Sequence, residues 1–242
     1  MINEIMLQKN SDIVEAIYQW RSMTTDNLKV LVAESETESA FRQRVLRLVK
    51  GGILRSKLQK GFNKIVYPSH GLLRKLGIEN FNEDNIRHDA VVSTVVSRLI
   101  TFESVKSVKL PHDFKTKSSW NHHAIEPDAL LLISKNGNEF NVAIEVELWR
   151  KDRKRVFDKL VDYAKASEYD YVFYFFADRP AFESYQKRLN ELLIDSDFDH
   201  LKDELKEKIV LIFNQTILKR AEDLKTSEVI HKGERKKLGD LI

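Results

Sequence analysis

Residues 125–148 read IEPDALLLISKNGNEFNVAIEVEL, two apolar runs of strand character separated by Lys135-Asn136-Gly137-Asn138. Asn-Gly between such runs is a strong hairpin signal, because the tightest hairpin turn needs positive φ at both central residues. The pattern predicts strands over 125–134 and 139–148 that pair with each other. Side chains alternate along a strand, so Glu145 and Glu147 share one face while Ile144, Val146 and Leu148 point to the other. Asp128 sits on the first strand, in Glu126-Pro127-Asp128. Carboxylates inside apolar strands are opposed by desolvation, and three of them repel one another, so a compensating cation is expected.

Outward from this hairpin, Val91, Val95 and Leu99 give 84–100 helical spacing, and 102–110 has strand character. A basic helix is expected over 151–167, then a strand over 169–177, a helix over 180–193 and a strand over 208–213. The aromatics Tyr169, Tyr171, Phe173, Tyr174, Phe175 and Phe176 mark a strand apolar on both faces, hence central in its sheet. Helix, three strands, helix, strand is an α/β order with a mixed sheet. After Asn214 the spacing of Ile217, Ala221 and Leu224 predicts a charged helix, and 226–242 reads as a mobile end with room for a partner.

The chain has 242 residues, of which 42% are hydrophobic and 10% aromatic, with 8 Gly and 4 Pro, a composition for buried cores rather than disorder. That length suits two domains, expected at 1–80 and 81–242. No apolar run approaches the roughly 20 residues that span a bilayer, and residues 1–10 lack a signal-peptide core. A cytoplasmic protein without membrane insertion is therefore expected. With no cysteine, any metal must be held by oxygen or imidazole. Oxygen ligation by Asp128, Glu145 and Glu147 selects a hard divalent ion, Mg2+ or Mn2+, which can hold a phosphate oxygen and activate water.

The formal net charge of +3 is unevenly spread, since Lys and Arg outnumber Asp and Glu over 1–80 but not over 81–180. Ile13, Ile17 and Trp20 predict a first helix over 12–20. Thr24 or Thr25 would cap a second over 26–32, with Leu28, Leu31 and Val32 packed inward. A third, over 38–50, has Phe41, Val45, Leu48 and Val49 on one side and Gln43, Arg44, Arg47 and Lys50 on the other. Gly51-Gly52 end it, and strands at 53–58 and 64–67 follow, joined by a basic turn. Lys57, Lys60 and Lys64 on this hairpin, with the polar residues of the third helix, are the expected DNA contacts. Three helices and a basic hairpin over about 11–78 resemble the winged helix-turn-helix, whose third helix enters the major groove while the hairpin touches the flanking backbone.

Pro127-Asp128 followed by Glu145-Val146-Glu147 resembles the PD-(D/E)xK nucleases, which have a restriction-endonuclease-like mixed-sheet core. The sequence departs from that motif at Glu147, where the family usually carries a lysine. Lys159, four residues before Tyr163 on the following helix, is placed to substitute for it. A winged helix ahead of such a core is similar to the replication-relaxation family, including its MobC-class plasmid relaxases. This resemblance spans about 11–213. It implies metal-dependent nicking of one DNA strand at a plasmid transfer origin, with a coupling protein and an accessory mobilization protein as partners of the double- and single-stranded DNA complex. Asp128, Glu145 and Glu147 match the acidic triad, and His88-Asp89 resembles a His-acid pair of the first core helix.

The expected chemistry has Asp128 and Glu145 holding the ion, Glu147 as third ligand or general base, and Lys159 offsetting developing phosphorane charge. Arg153 and Lys154, in the run 150–155, would hold the scissile strand, and His88 would position water or phosphate. His122-His123 reads as an exposed loop pair. The nucleophile is water or a tyrosine, with Tyr18, Tyr67 and Tyr163 as candidates. Two other readings stand beside the relaxase: a DNA-binding regulator or replication factor on an inactive nuclease-like core, and a restriction-type endonuclease cutting both strands.

Overall fold

Helical spacing of apolar residues buries Ile13, Ala16, Ile17 and Trp20 on one stripe of the first long helix. The structure, a computed structural model, describes residues 4–58, 64–78, 81–114, 125–218 and 223–242. Its contacts divide the chain into two units, Met1–Ser97 with Leu218–Arg220, and Arg98–Ile217 with Ala221–Ile242.

In the first unit, α1 (Glu4–Gln8) and α2 (Ser11–Trp20) lead into β1 (Met23–Thr24), α3 (Thr25–Val32) and α4 (Glu38–Lys50). The side chain of Thr24 accepts from Asn27 N at 3.3 Å and caps α3, and Thr37 caps α4 by accepting from Ala40 N. On α3 Leu28 packs inward as expected, but Leu31 is exposed; the buried partner is instead Asn27, whose Nδ2 donates to Thr94 Oγ1. α4 buries Phe41, Val45 and Leu48. Gly52, at φ 69°, turns the chain into β2 (Leu54–Lys57), which pairs antiparallel with β3 (Ile65–Pro68), and β1 adds to the other side of β3. α5 (His70–Lys75) follows, then α6 (Ile86–Leu99).

The unit boundary falls at Ser97/Arg98 rather than near residue 80, because most of α6 is bonded into the first unit. Ser22 Oγ donates to Ile86 O at 3.0 Å, and Ser93 Oγ donates to Ser22 O at 2.8 Å. The helix forms where its spacing predicts, but its partners are α2 and α3.

The second unit is built on a seven-stranded mixed sheet of order β10-β9-β8-β7-β6-β5-β4. β4 (Val105–Lys109) precedes a single turn of helix, α7 (Pro111–Phe114), and then β5 (Ala129–Lys135) and β6 (Asn138–Glu147). These three strands form an antiparallel meander. Asn136 at φ 53° and Gly137 at φ 81° make the two-residue turn between β5 and β6, with Lys135 opposite Asn138. α8 (Arg153–Lys165) crosses to β7 (Tyr171–Phe176), which runs parallel to β6. α9 (Arg179–Ile194) and α10 (Lys202–Lys208) return the chain to β8 (Ile209–Phe213), parallel to β7. Parallel strands need such crossovers, and β7, fourth of seven, is buried from Val172 to Phe176.

The C-terminal region differs from expectation. Residues 226–242 are not a loose tail: β9 (Glu228–His231) and β10 (Glu234–Lys237) extend the sheet antiparallel from β8, and α11 (Leu238–Leu241) follows. Leu238 is fully buried and its N donates to Ser227 O at 3.1 Å. Gln215–Leu218 is a short 3-10 turn where a helix was expected. Among the described residues, no helix is long and apolar enough to cross a membrane.

Candidate active site

Asp128 stands just before β5, where its N donates to Ile144 O at 2.9 Å and its Oδ2 accepts from Val146 N at 2.8 Å. Both bonds lay its carboxylate along the end of β6, beside Glu145. Glu145 lies opposite Tyr174 and Glu147 opposite Phe176 in the parallel pairing with β7, on the face covered by α8 and α9. The alternation that put both glutamates on one face therefore puts them inside: Glu145 is 3% and Glu147 1% exposed.

The cations that such burial demands come from two lysines. Lys159, on α8, donates to Glu145 Oε2 at 2.6 Å and to Glu147 Oε1 at 3.0 Å. Lys151 closes the loop after β6 by reaching Glu147 Oε2 at 2.6 Å and Oε1 at 2.7 Å. The hydroxyl of Tyr163, one turn beyond Lys159, donates to Glu145 Oε1. Tyr174 supports the group from below, its ring centroid 5.7 Å from Lys159 Nζ.

Protonation follows from these contacts. Burial, and next the charge of Asp128, push Glu145 up to about 7 against the opposing pull of Lys159 and Tyr163. Burial works against the charge on Lys159, but Glu145 and Glu147 outweigh it and hold its pKa above the ordinary lysine value. Burial and the Glu145 charge raise Tyr163 as well.

A cleft of about 440 Å³ opens at the start of α8, lined by Lys151, Lys154, Arg155 and Lys159 together with Ile125 and three aspartates. Asp152 caps the helix by accepting from Arg155 N at 2.9 Å. The phosphate-binding residues expected in this run were Arg153 and Lys154; Lys154 lines the cleft, while Arg153 pairs with Glu191 at 3.3 Å. Lys151 and Arg155 were not singled out from the sequence, where nothing distinguishes them within the run 150–155.

Asp128, Glu145, Glu147 and Lys159 are thus brought together. His88 belongs to the first unit, on α6, with Nδ1 3.7 Å from Asp89 Oδ1. Lys60, His122 and His123 lie outside the described residues. Tyr163 does not suit the nucleophile's part: it is fully buried and its hydroxyl is committed to Glu145. Tyr67 is buried too, its ring 6.1 Å from that of Phe81, whereas Tyr18 is exposed.

Among the described residues no group of three or more His, Asp or Glu is placed to hold a metal ion. Glu147, expected as a third ligand, gives both oxygens to lysines. Asp128 and Glu145 remain as the candidate ligands: Oδ2 of Asp128 accepts from Val146 N, and Glu145 gives one oxygen to Lys159 and the other to the neutral hydroxyl of Tyr163.

In the first unit, Gln43, Arg47 and Lys50 on α4 and Lys57 and Lys64 on the hairpin are exposed. Arg44 is not available as an outward DNA contact. Its guanidinium pairs with Asp12 at 2.7 Å and Glu36 at 2.9 Å, and Nε donates to Asn10 at 3.2 Å. It ties α4 to α2.

No protein-family model matches the chain, and neither a curated protein nor a solved structure matches it.

Proposed function

We propose that the first unit binds duplex DNA as a winged helix and that the second cleaves one strand at Asp128–Glu145 with Mg2+ or Mn2+. The observation that carries this reading is the convergence of Asp128, Glu145 and Lys159 beside a basic cleft, from a strand hairpin and the helix that follows it. The antiparallel meander, helix and parallel strand agree with a PD-(D/E)xK core, and helix, strand, two helices and a hairpin agree with a winged helix. The plasmid transfer origin as target, and a coupling protein as partner, rest on the resemblance to the replication-relaxation family. A divalent ion, when bound by Asp128 and Glu145, would polarise the phosphate and lower the pKa of water. Lys159 places positive charge beside the reacting phosphate, Glu147 holds Lys159 and Lys151 in position, and Lys154 and Arg155 hold neighbouring phosphates.

The test is supercoiled plasmid, with and without the transfer region, incubated in Mg2+, Mn2+ or EDTA. Open circle formed only with metal and the transfer region, and lost in Asp128→Ala, is the expected result. Linear product would replace this reading with a double-strand endonuclease. No cleavage with DNA binding intact would leave a DNA-binding protein on an inactive core, a reading favoured by one observation: Lys159 and Lys151 compensate the glutamates without a metal.

The two arginines of α4 separate DNA contact from scaffold. Arg47→Gln is expected to weaken duplex binding and lower the slope of log affinity against log salt by about one. Arg44→Gln should leave that slope unchanged and cost about 1 kcal/mol of stability in urea unfolding.

A further inference from the structure

The chain between α5 and α6 packs back onto the hairpin of the first unit. Phe81 stacks on Tyr67 of β3, with ring centroids 6.1 Å apart and planes 14° from parallel. Arg55, directly across from Tyr67 on β2, holds its guanidinium carbon 5.6 Å from the Tyr67 centroid. Glu83 then opens a single 3-10 turn, Glu83–Asn85, and its Oε1 accepts from Arg55 Nη1. His70, the first residue of α5, places Nε2 3.3 Å from each of those two atoms. The turn that carries Glu83 is braced at both ends. Asn82 caps it by accepting from Asp84 N at 2.9 Å, and it runs straight into α6, whose Ile86 O accepts from Ser22 Oγ at 3.0 Å.

Arg55 and Lys57 are two residues apart on β2 and so share one face of the strand that carries the expected backbone contacts. A carboxylate and a phosphate offer the same thing to a guanidinium, an anionic oxygen for its fork of donors. At Arg55 the Glu83 carboxylate takes that place. The pair is open to water, with side chains 44% and 37% exposed, and such pairs are weak enough for a competing anion to displace. Duplex DNA presents a charge about every 1.7 Å along its axis. We infer that Glu83 is an internal competitor for duplex DNA: its carboxylate stands in for a backbone phosphate at Arg55, and the hairpin engages the backbone with Arg55 only by exchanging Glu83 for phosphate. The contact thereby lowers the affinity of the first unit for DNA of any sequence. This rests on the duplex-binding reading above and does not require cleavage.

Affinity for a labelled duplex of about 20 base pairs is measured with the full chain in EDTA at low salt, where phosphate contacts weigh most. Glu83→Gln should tighten binding by about 2- to 5-fold, the span that an exposed ion pair is worth. Arg55→Gln should weaken binding, and adding Glu83→Gln to it should change nothing further, because the competitor then has no arginine to occupy. Asp84→Asn removes the same charge one residue along and should tighten binding less than Glu83→Gln. Thermal midpoints should stay together, since all three side chains lie at the surface. No gain in Glu83→Gln, the same gain with and without Arg55, or an equal gain in Asp84→Asn would overturn the inference. Duplex binding by the wild type without coupling between Arg55 and Glu83 refutes the competitor alone, whereas a wild type that binds no duplex refutes the winged-helix reading and the competitor with it.

Discussion

Lys159→Met is expected to destabilise the second unit by about 3–5 kcal/mol at pH 8, the cost of breaking a buried ion pair by removing one partner. Lys159 bridges two glutamates that are 4% and 1% exposed in their side chains, and its own side chain is 18% exposed. Methionine matches the volume of the aliphatic stem but leaves Glu145 with the neutral Tyr163 hydroxyl, and takes one of two lysines from Glu147. The direction with pH is set by Glu145. Without the ammonium Glu145 ionises still less readily, so the variant should recover stability as pH falls from 8 to 5.5. Urea unfolding at the two pH values, followed by tyrosine fluorescence, measures this. A loss below 1 kcal/mol at pH 8, or a loss that grows toward acid, would show that Lys159 is not the counter-ion of the pair.

Glu145→Gln should separate activity from stability. Glu145 is raised from an ordinary 4.5 to about 7, so its contribution to stability is fully present below pH 4.5 and is lost as pH rises through 7. At pH 8 the ionised side chain thus costs on the order of 3 kcal/mol relative to its neutral form. Glutamine is neutral throughout and similar in shape, and Lys159 keeps Glu147 as a partner. The variant should equal or exceed the wild type in stability at pH 8, and its stability should vary less between pH 4.5 and 7. Its nicking rate should fall by more than the roughly 10- to 100-fold that losing an outer hydrogen-bond partner costs a metal site. Cleavage within 10-fold of wild type would remove Glu145 from the reaction.

Much of the site was legible because strand and helix periods are short-range rules. Lys135-Asn136-Gly137-Asn138 gave the hairpin, alternation put Glu145 and Glu147 together, and four-residue spacing paired Lys159 with Tyr163. Partners set by chain reversal were not legible. Lys151 was one cation in a run until the end of β6 turned it back onto Glu147. Arg44 lay on the polar face of α4, yet Asp12 and Glu36 come from other parts of the chain. The spacing of Val91, Val95 and Leu99 predicted a buried helix face, but periodicity says nothing of which unit covers it. β10 was hidden for a different reason: Glu234, Arg235, Lys236 and Lys237 are all exposed on an edge strand, so no alternation marks them. Charges there keep the sheet from pairing edge to edge with another chain.

The turn at Asn136-Gly137 bears on how this protein tolerates change. Lys135 pairs with Asn138 across it, and the same register runs on to Ala129 opposite Ile144, so this one turn sets the phase of both strands out to the carboxylates. A residue added or removed between Asn138 and Glu145 inverts the phase and sends both glutamates through the sheet, away from Lys159. Substitutions along the hairpin alter one side chain each, whereas a single-codon insertion or deletion dismantles the whole constellation at once. The length of β6 is therefore under tighter constraint than the identity of most residues along it.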